Sequence, residues 1–458
     1  MTLPVLSIAA RAMIPSRPKS EWTTRARGAA LLVATLAPTA ALAEVPEETR
    51  FILNTFSLLF HGALVLFMAT GFSMLEAGLV RTKSVTTILL KNITLVAIAA
   101  IGFYLVGYNL MFLDVDGGYW GSPTVWRPDD AAVLAGDLSA GVASAATWLF
   151  QCLFAVTAAS IISGALAERI RLWPFFAFVA VLSSLLYPVQ GAWGWGGGWL
   201  DTLGFRDFAG GTHVHSAAGV AALIGVIVLG PRRGRFGADG SVRDLPTSSL
   251  PLATLGAMIL WLGWLGFNGG SQGAMDTAAD LVAMARVYLN TVMASCGGIL
   301  AAVLLLQAKS GKVDLTMVLN GALAGLVSIT AGPEAPEPWA AILIGAVGTV
   351  LMWASTRLLL RLRIDDVIGA VPVHLSCGIW GTLVVAATDP GASLAVQAVG
   401  VAAICGFMAV TSAIVWLTLR HLTRLRLSQG EEAIGIDRVE TGALAYPEFA
   451  TRTPTGNI

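Results

Sequence analysis

The sequence predicts an all-α polytopic membrane protein of eleven transmembrane helices, arranged as two inverted five-helix repeats plus a final helix. Three observations lead there. Of the 458 residues, 56% are hydrophobic and only 12% charged, whereas a soluble domain carries about 25% charge. The basic residues between apolar runs fall on alternate loops. One pattern also occurs twice: Asp207 lies eight residues before His215 in DFAGGTHVH, and Asp366 lies eight before His374 in DVIGAVPVH. A glycine follows each histidine by four, Gly219 and Gly378. Ionisable groups inside membrane helices are costly and point to function.

Net charge is zero, so bulk charge offers nothing to nucleic acid or to acidic partners. Cys152, Cys296, Cys377 and Cys405 all lie in apolar runs and read as small core residues. They suggest neither a disulfide framework nor a metal site.

In chain order, Arg25 and Arg27 precede an apolar run from Ala29 that closes on Ala41-Leu42-Ala43. A basic flank, a short apolar core and an A-x-A site make residues 1–43 a signal peptide. Pro38 and the shortness of the run argue against an extra span. Cleavage leaves the mature N-terminus outside. Residues 44–427 then form the eleven-helix domain, and 428–458 a cytoplasmic tail.

The apolar segments are roughly 52–80, 88–113, 143–167, 172–191, 209–230, 250–270, 281–307, 315–332, 339–360, 367–388 and 394–419. A bilayer needs about 20 residues, so several permit tilt. Arg81 and Lys83 follow the first span, Arg169 and Arg171 the third, Arg232, Arg233, Arg235 and Arg243 the fifth. Lys309 and Lys312 follow the seventh, Arg357, Arg361 and Arg363 the ninth, Arg420, Arg424 and Arg426 the eleventh. The intervening loops are acidic or mixed. By the positive-inside rule, odd-numbered spans end in the cytoplasm, giving N-out and C-in, as the signal peptide requires.

Eleven divides into five, five and one, and an odd repeat inverts its second copy. The fifth span carries His215 and the tenth His374. Gly71-Phe72 with Gly78 in the first span matches Gly266-Phe267 with Gly273 in the sixth. Inverted repeats place their site near the midplane. At 1.5 Å per residue each histidine lies about 12 Å from its own face. In a core of ~30 Å the two depths then differ by about 6 Å. If the spans adjoin, the imidazoles share a hydrogen bond at mid-membrane. Such a pair relays protons. A structural pair is the alternative; a metal pair lacks a further carboxylate or thiolate at suitable spacing.

His213 points about 200° round the helix from His215 and is expected to face elsewhere. His61 is ambiguous, and His421 sits at a helix end in solvent. Asp207 is placed to cap the fifth helix, and Asp365 and Asp366 the tenth, with Arg357, Arg361 and Arg363 as nearby partners. Fourteen tryptophans are present, among them Trp193, Trp195 and Trp199 around Gly196-Gly197-Gly198, and Trp261 and Trp264 before Phe267 and Ser271. Phe150 and Phe154 lie one turn apart. Interfacial tryptophans anchor in lipid, and aromatic faces also attract cations. Spacing alone does not choose between these.

DFAGGTHVH, GALAERIR, WLGWLGFNGGSQG, DDVIGAVPVHLSCGIWGTL and FSMLEAGLVRTKS, several long motifs in the right order along residues 50–449, together resemble the ammonium transporter family (Amt/Mep/Rh), on the Amt side. The resemblance implies a homotrimer in the cell inner membrane with one pore per subunit, carrying ammonium or ammonia, with methylammonium as analogue. It implies an outer site of Trp195, Phe154 and Ser271, supported by Asp207. It implies a phenyl gate of Phe154 and Phe267, and a pore lined by His215, His374 and Trp264. No cofactor or metal is implied. The tail resembles the family's regulatory C-terminus, where a PII-type signalling protein docks in bacterial members. Three positions depart from the pattern: His213 stands where an apolar residue is usual, Leu375 where glycine is common, and Thr441 where the tail often has histidine. A sensor that transports little, or a secondary transporter for a larger substrate, are the rivals. An enzyme is not expected, since no nucleophile–base or metal constellation is present.

Overall fold

The computed structural model describes residues 45–449. The expected signal peptide, 1–43, lies outside the described residues. Among these residues there is no β-strand, only isolated bridges joining Ile170 to Arg426 and Phe236 to Val242. A bilayer forces this economy, because helices satisfy their backbone groups internally.

Eleven apolar helices follow in order: α1 (Glu47–Leu79), α2 (Thr82–Phe112), α3 (Ser144–Ala165), α4 (Leu172–Thr202), α5 (Gly211–Leu229), α6 (Leu250–Gly270), α7 (Ala278–Ser310), α8 (Leu315–Ile329), α9 (Pro338–Arg361), α10 (Pro372–Thr388) and α11 (Leu394–Leu422). Among the described residues, nine are long and apolar enough to cross a membrane, while α8 and α10 are shorter. The chain is a multi-pass membrane protein. Local chemistry sets several boundaries. Thr277 and Asp280 form a reciprocal capping box at the start of α7, and Gly311 closes it with a φ of 66°. Asp314 caps α8 by accepting from Met317 N at 2.9 Å.

Burial separates the helices into inner and outer sets. α3 and α5 are central, with 72% and 78% of their spans buried, against 28% for α11. α1 and α6 cross at close range: a Cβ on Gly256 would meet the backbone of Leu75 and Gly71. Small residues permit such contact where lipid offers helices no hydrophobic drive to associate. Phe56, Phe60 and Phe67 of α1 remain exposed, as a lipid-facing helix allows.

One face carries the basic loops and the tail. A short helix, α12 (Gln429–Ile434), starts from a capping box of Ser428 and Glu431. Asp437 then accepts from Thr86 N at 3.0 Å and Thr87 N at 2.7 Å, at the start of α2. Lys83 Nζ donates to the carbonyls of Glu432 and Ala433, both at 2.8 Å. Arg171, after α3, reaches Glu431 and Glu440, and Arg233 N, after α5, donates to Glu432. The tail thus bridges three loops of the chain.

The same face corrects one expectation. Asp365 does not pair with Arg357, Arg361 or Arg363. It receives Arg232, whose Nε and Nη2 donate at 2.8 and 3.0 Å. Arg232 also donates to Glu168 at 3.0 Å, and Arg81 pairs with the same carboxylate. Arg357, Arg361 and Arg363 are exposed, and chain proximity does not carry them to the buried Asp365. Burial opposes the charge on Asp365, yet the Arg232 guanidinium holds its carboxyl well below the usual carboxylate range. Asp366 behaves differently. Its oxygens accept from Gly369 N at 3.1 Å and Val371 N at 2.6 Å, capping the chain into α10.

Candidate functional site

α5 and α10 begin from opposite faces by the same device. Asp207 Oδ2 accepts from Thr212 N at 2.9 Å and His213 N at 2.8 Å. This turns the chain into α5, helped by Gly210 at a φ of 94°. Asp366 and Gly369, at a φ of 81°, do the same for α10. Each helix then opens with a π-helical turn, Gly211–Ser216 and Pro372–Ser376, and each turn carries a histidine. Such wide turns recur at functional sites because they displace a side chain from regular helical phase.

These turns meet. His215 Nδ1 lies 3.1 Å from His374 Nδ1, with the rings tilted 21° from parallel. The +4 glycines make the approach possible. A Cβ on Gly219 would strike the backbone of Leu375, and one on Gly378 would strike Gly211 O and Ser216. A bond between two Nδ1 atoms requires one donor and one acceptor. One imidazole therefore bears its proton on Nδ1 and the other on Nε2. The two Nε2 atoms present one donor and one acceptor; their roles exchange when the bare Nε2 takes up a proton, the shared proton crosses between the Nδ1 atoms, and the other Nε2 releases its proton. His215 Nε2 is buried without a partner.

The surroundings of the pair are aromatic. Trp264 stacks on His215 at 5.0 Å, and Phe267 lies 5.5 Å away. Trp264 Nε1 donates to Thr330 Oγ1 at 2.8 Å, which fixes the indole. Phe72 lies 6.2 Å from His374. Phe72 and Phe267 follow the matched glycines Gly71 and Gly266, and each faces the histidine contributed by the other half of the chain.

Towards the face opposite the tail, Phe154 stacks on Phe267 at 3.9 Å with 15° between planes. Both are buried, and Phe267 also lies against His215. Trp195 meets Phe154 edge-on at 5.8 Å. Its Nε1 donates to Asp207 O at 2.8 Å. Ser271 Oγ donates to Phe267 O at 2.9 Å, leaving its lone pairs to accept from another donor. An aromatic face and an acceptor oxygen above an apolar gate suit a small cation carrying N–H groups.

His213 does not join His374 and instead packs against Asp207 and Trp195 on the side opposite the tail. Its Nδ1 lies 2.9 Å from Asp207 Oδ2, and its ring stacks on Trp195 at 4.7 Å and 13°. Helical phase separates His213 from His215 but does not show that a tryptophan eighteen residues earlier in the chain lies over it. Thr330 likewise has no signal, because its partner Trp264 comes from a distant helix, while Phe72 is marked only by the glycine match and not by its contact with His374. His61 is a satisfied core group, 2.8 Å from Ser57 O and 2.9 Å from the Tyr288 hydroxyl. His421 is exposed.

With this geometry in place, similarity to known proteins is informative. A family model described as Ammonium Transporter Family matches residues 56–446. Ammonium transporter Amt2 of Archaeoglobus fulgidus is 35% identical over 423 residues, covering 85% of this chain and 87% of that protein. Amt2 of Haloferax mediterranei is 38% identical over 407 residues, covering 85% and 88%. Among solved structures, a Sensor Amt Protein superposes with a TM-score of 0.80 at 32% identity, covering 86% of this chain and 100% of that one. Candida albicans Mep2 superposes with a TM-score of 0.74 at 26% identity, covering 84% and 89%.

Proposed function

Because the chain belongs to the ammonium transporter family, a family of transporters and not of enzymes, we propose that it moves ammonium across the membrane by separating proton from ammonia. Ammonium binds at Trp195 and Ser271, above Phe154, with Asp207 supporting the site. It loses a proton at the Phe154–Phe267 gate. Ammonia crosses the apolar lumen past Trp264, and the proton passes along His215 and His374. The observation that carries this reading is the 3.1 Å contact between two imidazoles in an otherwise aromatic path.

Size cannot separate ammonium from potassium, but acidity can. A lumen of Phe, Trp and His side chains supplies too few oxygens to replace potassium's hydration, and a bare cation there is expensive. Ammonium avoids that cost by crossing as a neutral molecule. We further read α8 and α10 as spans, giving eleven in an inverted repeat with N-out and C-in. The matched capping of α5 and α10 from opposite faces supports this. A signal peptide at 1–43, insertion in the inner membrane, a homotrimer and a PII-type partner on the tail face complete the proposal. Its support is the family pattern and the docked tail.

The test is ammonium-evoked current in proteoliposomes. His215→Ala and His374→Ala are expected to lose the coupling of current to ammonium selectivity. Wild-type current with wild-type exclusion of potassium in both variants would sink the relay. A second reading, a sensor that transports little, is favoured by the likeness to the Sensor Amt Protein. Uptake of radiolabelled methylammonium by expressing cells, with and without His215→Ala, separates the two.

A further inference from the structure

Beneath the histidines, towards the tail face, lies a buried charged group that the pathway above does not use. Glu76 of α1 and Lys91 of α2 are both buried, at 0% and 2% exposure. Two such charges between apolar helices are costly. They are not in direct contact, and Ser163 of α3 stands between them. Lys91 Nζ donates to Ser163 O at 2.7 Å, and Ser163 Oγ donates to Glu76 Oε2 at 2.7 Å. Asn92 Nδ2 donates to the same oxygen at 3.0 Å. The other oxygen, Oε1, is buried without a partner. A purely structural ion pair would close its charges on one another and leave no carboxylate oxygen bare.

The Glu76 carboxyl lies close to Ile368, a residue that lines a cleft on the tail face. Beside it is Gly164, where a Cβ would lie 3.3 Å from the Glu76 carboxyl carbon and would strike the Ile368 side chain. Ile368 also lines a cleft of about 390 Å³ on the tail face, with Asp366, Gly369, Pro372 and Asn320. Ile368 therefore stands between the cleft and the carboxylate. Phe72, one helical turn before Glu76, carries the ring that faces His374 at 6.2 Å.

Chain position gives this placement meaning. Gly71 and Phe72 match Gly266 and Phe267 across the two halves. Glu76 is five residues after Gly71, and Ser271 is five after Gly266. Glu76 thus occupies, towards the tail face, the position that Ser271 occupies at the outer mouth. One half presents a hydroxyl that accepts N–H groups, and the other presents an acid.

We propose that Glu76 is the proton-holding group at the tail-side end of the pore, returning to departing ammonia the proton removed at the outer gate. This rests on the separation of proton and ammonia set out above. The steps balance. The Glu76 carboxylate takes a proton from the histidine side and becomes a carboxylic acid. Its O–H bond then breaks as ammonia's lone pair forms a fourth N–H bond, giving ammonium and carboxylate. Lys91, one residue away through Ser163, stabilises the carboxylate left behind. Ile368 admits ammonia to the acid as it passes into the cleft.

Glu76→Gln, which keeps the shape, is expected to lower ammonium-evoked current in proteoliposomes at least tenfold. The double variant Glu76→Gln/Lys91→Met is expected to stay as low. Recovery of current in the double variant overturns the proposal, because it shows that Glu76 only balances Lys91. Wild-type current in Glu76→Gln overturns it equally. Difference infrared spectra on adding ammonium supply an arm independent of current. Wild type is expected to show a change in a carboxylic C=O band that Glu76→Gln removes and Glu76→Asp shifts. Absence of that band change from the wild-type protein also overturns the proposal. Should wild type carry no ammonium-evoked current while the band responds, the transport reading fails and the proton return at Glu76 is overturned with it, whereas current without the band change overturns the Glu76 assignment alone. Should Glu76→Gln not fold, the Glu76→Asp shift decides.

Discussion

His213 binds nothing that crosses the membrane in the pathway proposed here, yet it holds Trp195 in place from beneath. A carboxylate only accepts, so Asp207 fixes the His213 proton on Nδ1 and leaves Nε2 buried without a partner. The ring is thereby locked flat against the indole at 4.7 Å. An aromatic stack contributes about 0.5–1.5 kcal/mol beyond area. Its loss therefore corresponds to an affinity change of roughly 2- to 13-fold if the indole loosens fully. His213→Ala is expected to raise the half-saturating methylammonium concentration within that range, with maximal uptake unchanged. His213→Phe keeps the stack and is expected to fall between the two. An unchanged half-saturation in His213→Ala would show that Trp195 is held by its bond to Asp207 alone. The sequence made His215 and His374 legible because they repeat. It set His213 apart by helical phase but gave no sign of its stacking partner, Trp195, which sits on a turn near the end of α4.

At the scale of elements, α5 and α10 form the centre of the molecule. Their common start was readable from two copies of D-x7-H, and the glycines four residues on were visible in the same lines. What the letters did not show is that Gly219 and Gly378 face each other's helix, or that both histidines sit on π turns. Those features follow from the need to bring two helices, entering from opposite faces, within hydrogen-bond reach. A methyl group at Gly378 would strike Gly211 O, and backbone cannot yield as a flexible side chain does. Overpacking of this kind costs about 1–3 kcal/mol, and the separation it forces falls on the His215–His374 bond. Gly378→Ala is expected to lower thermal stability and to reduce ammonium-evoked current at least tenfold. Gly406→Ala, on exposed α11 with nothing within 4 Å of the added carbon, is expected to change neither. Wild-type current in Gly378→Ala would mean that the histidine contact tolerates helix separation and does not limit transport.

Over the whole molecule, the tail is the element that ties distant loops together. Composition and the basic clusters placed it on the face that carries them, but not its partners. Asp365 illustrates why: the sequence offered Arg357, Arg361 and Arg363 nearby, and the fold brings Arg232 from α5's far end instead. Asp437, Glu431, Glu432 and Glu440 likewise reach groups 199 to 350 residues away, and Glu432 also meets Arg426 close by. Glu431 reports how firmly this arrangement resists protons. Ser428, through its backbone N–H and then its hydroxyl, and Arg171 bring its carboxyl down to about 2 from an ordinary 4.5. A carboxyl depressed on folding contributes stability that is present above its unfolded pKa and is lost as pH falls through the folded one. For Glu431 that window runs from 4.5 down to about 2. The tail is therefore expected to remain docked between about pH 5 and 8. Protons in the physiological range do not release it; competition for Arg171, Lys83 and the backbone of α2 is the route by which a partner would. Hydrogen exchange over Gln429–Ile434 measures this directly. Protection is expected to be flat from about pH 5 to 8 after correction for intrinsic rates, and to be lost at neutral pH in Arg171→Ala. Loss of protection in the wild type as pH falls from about 8 to 6 would show instead that another titrating contact governs docking.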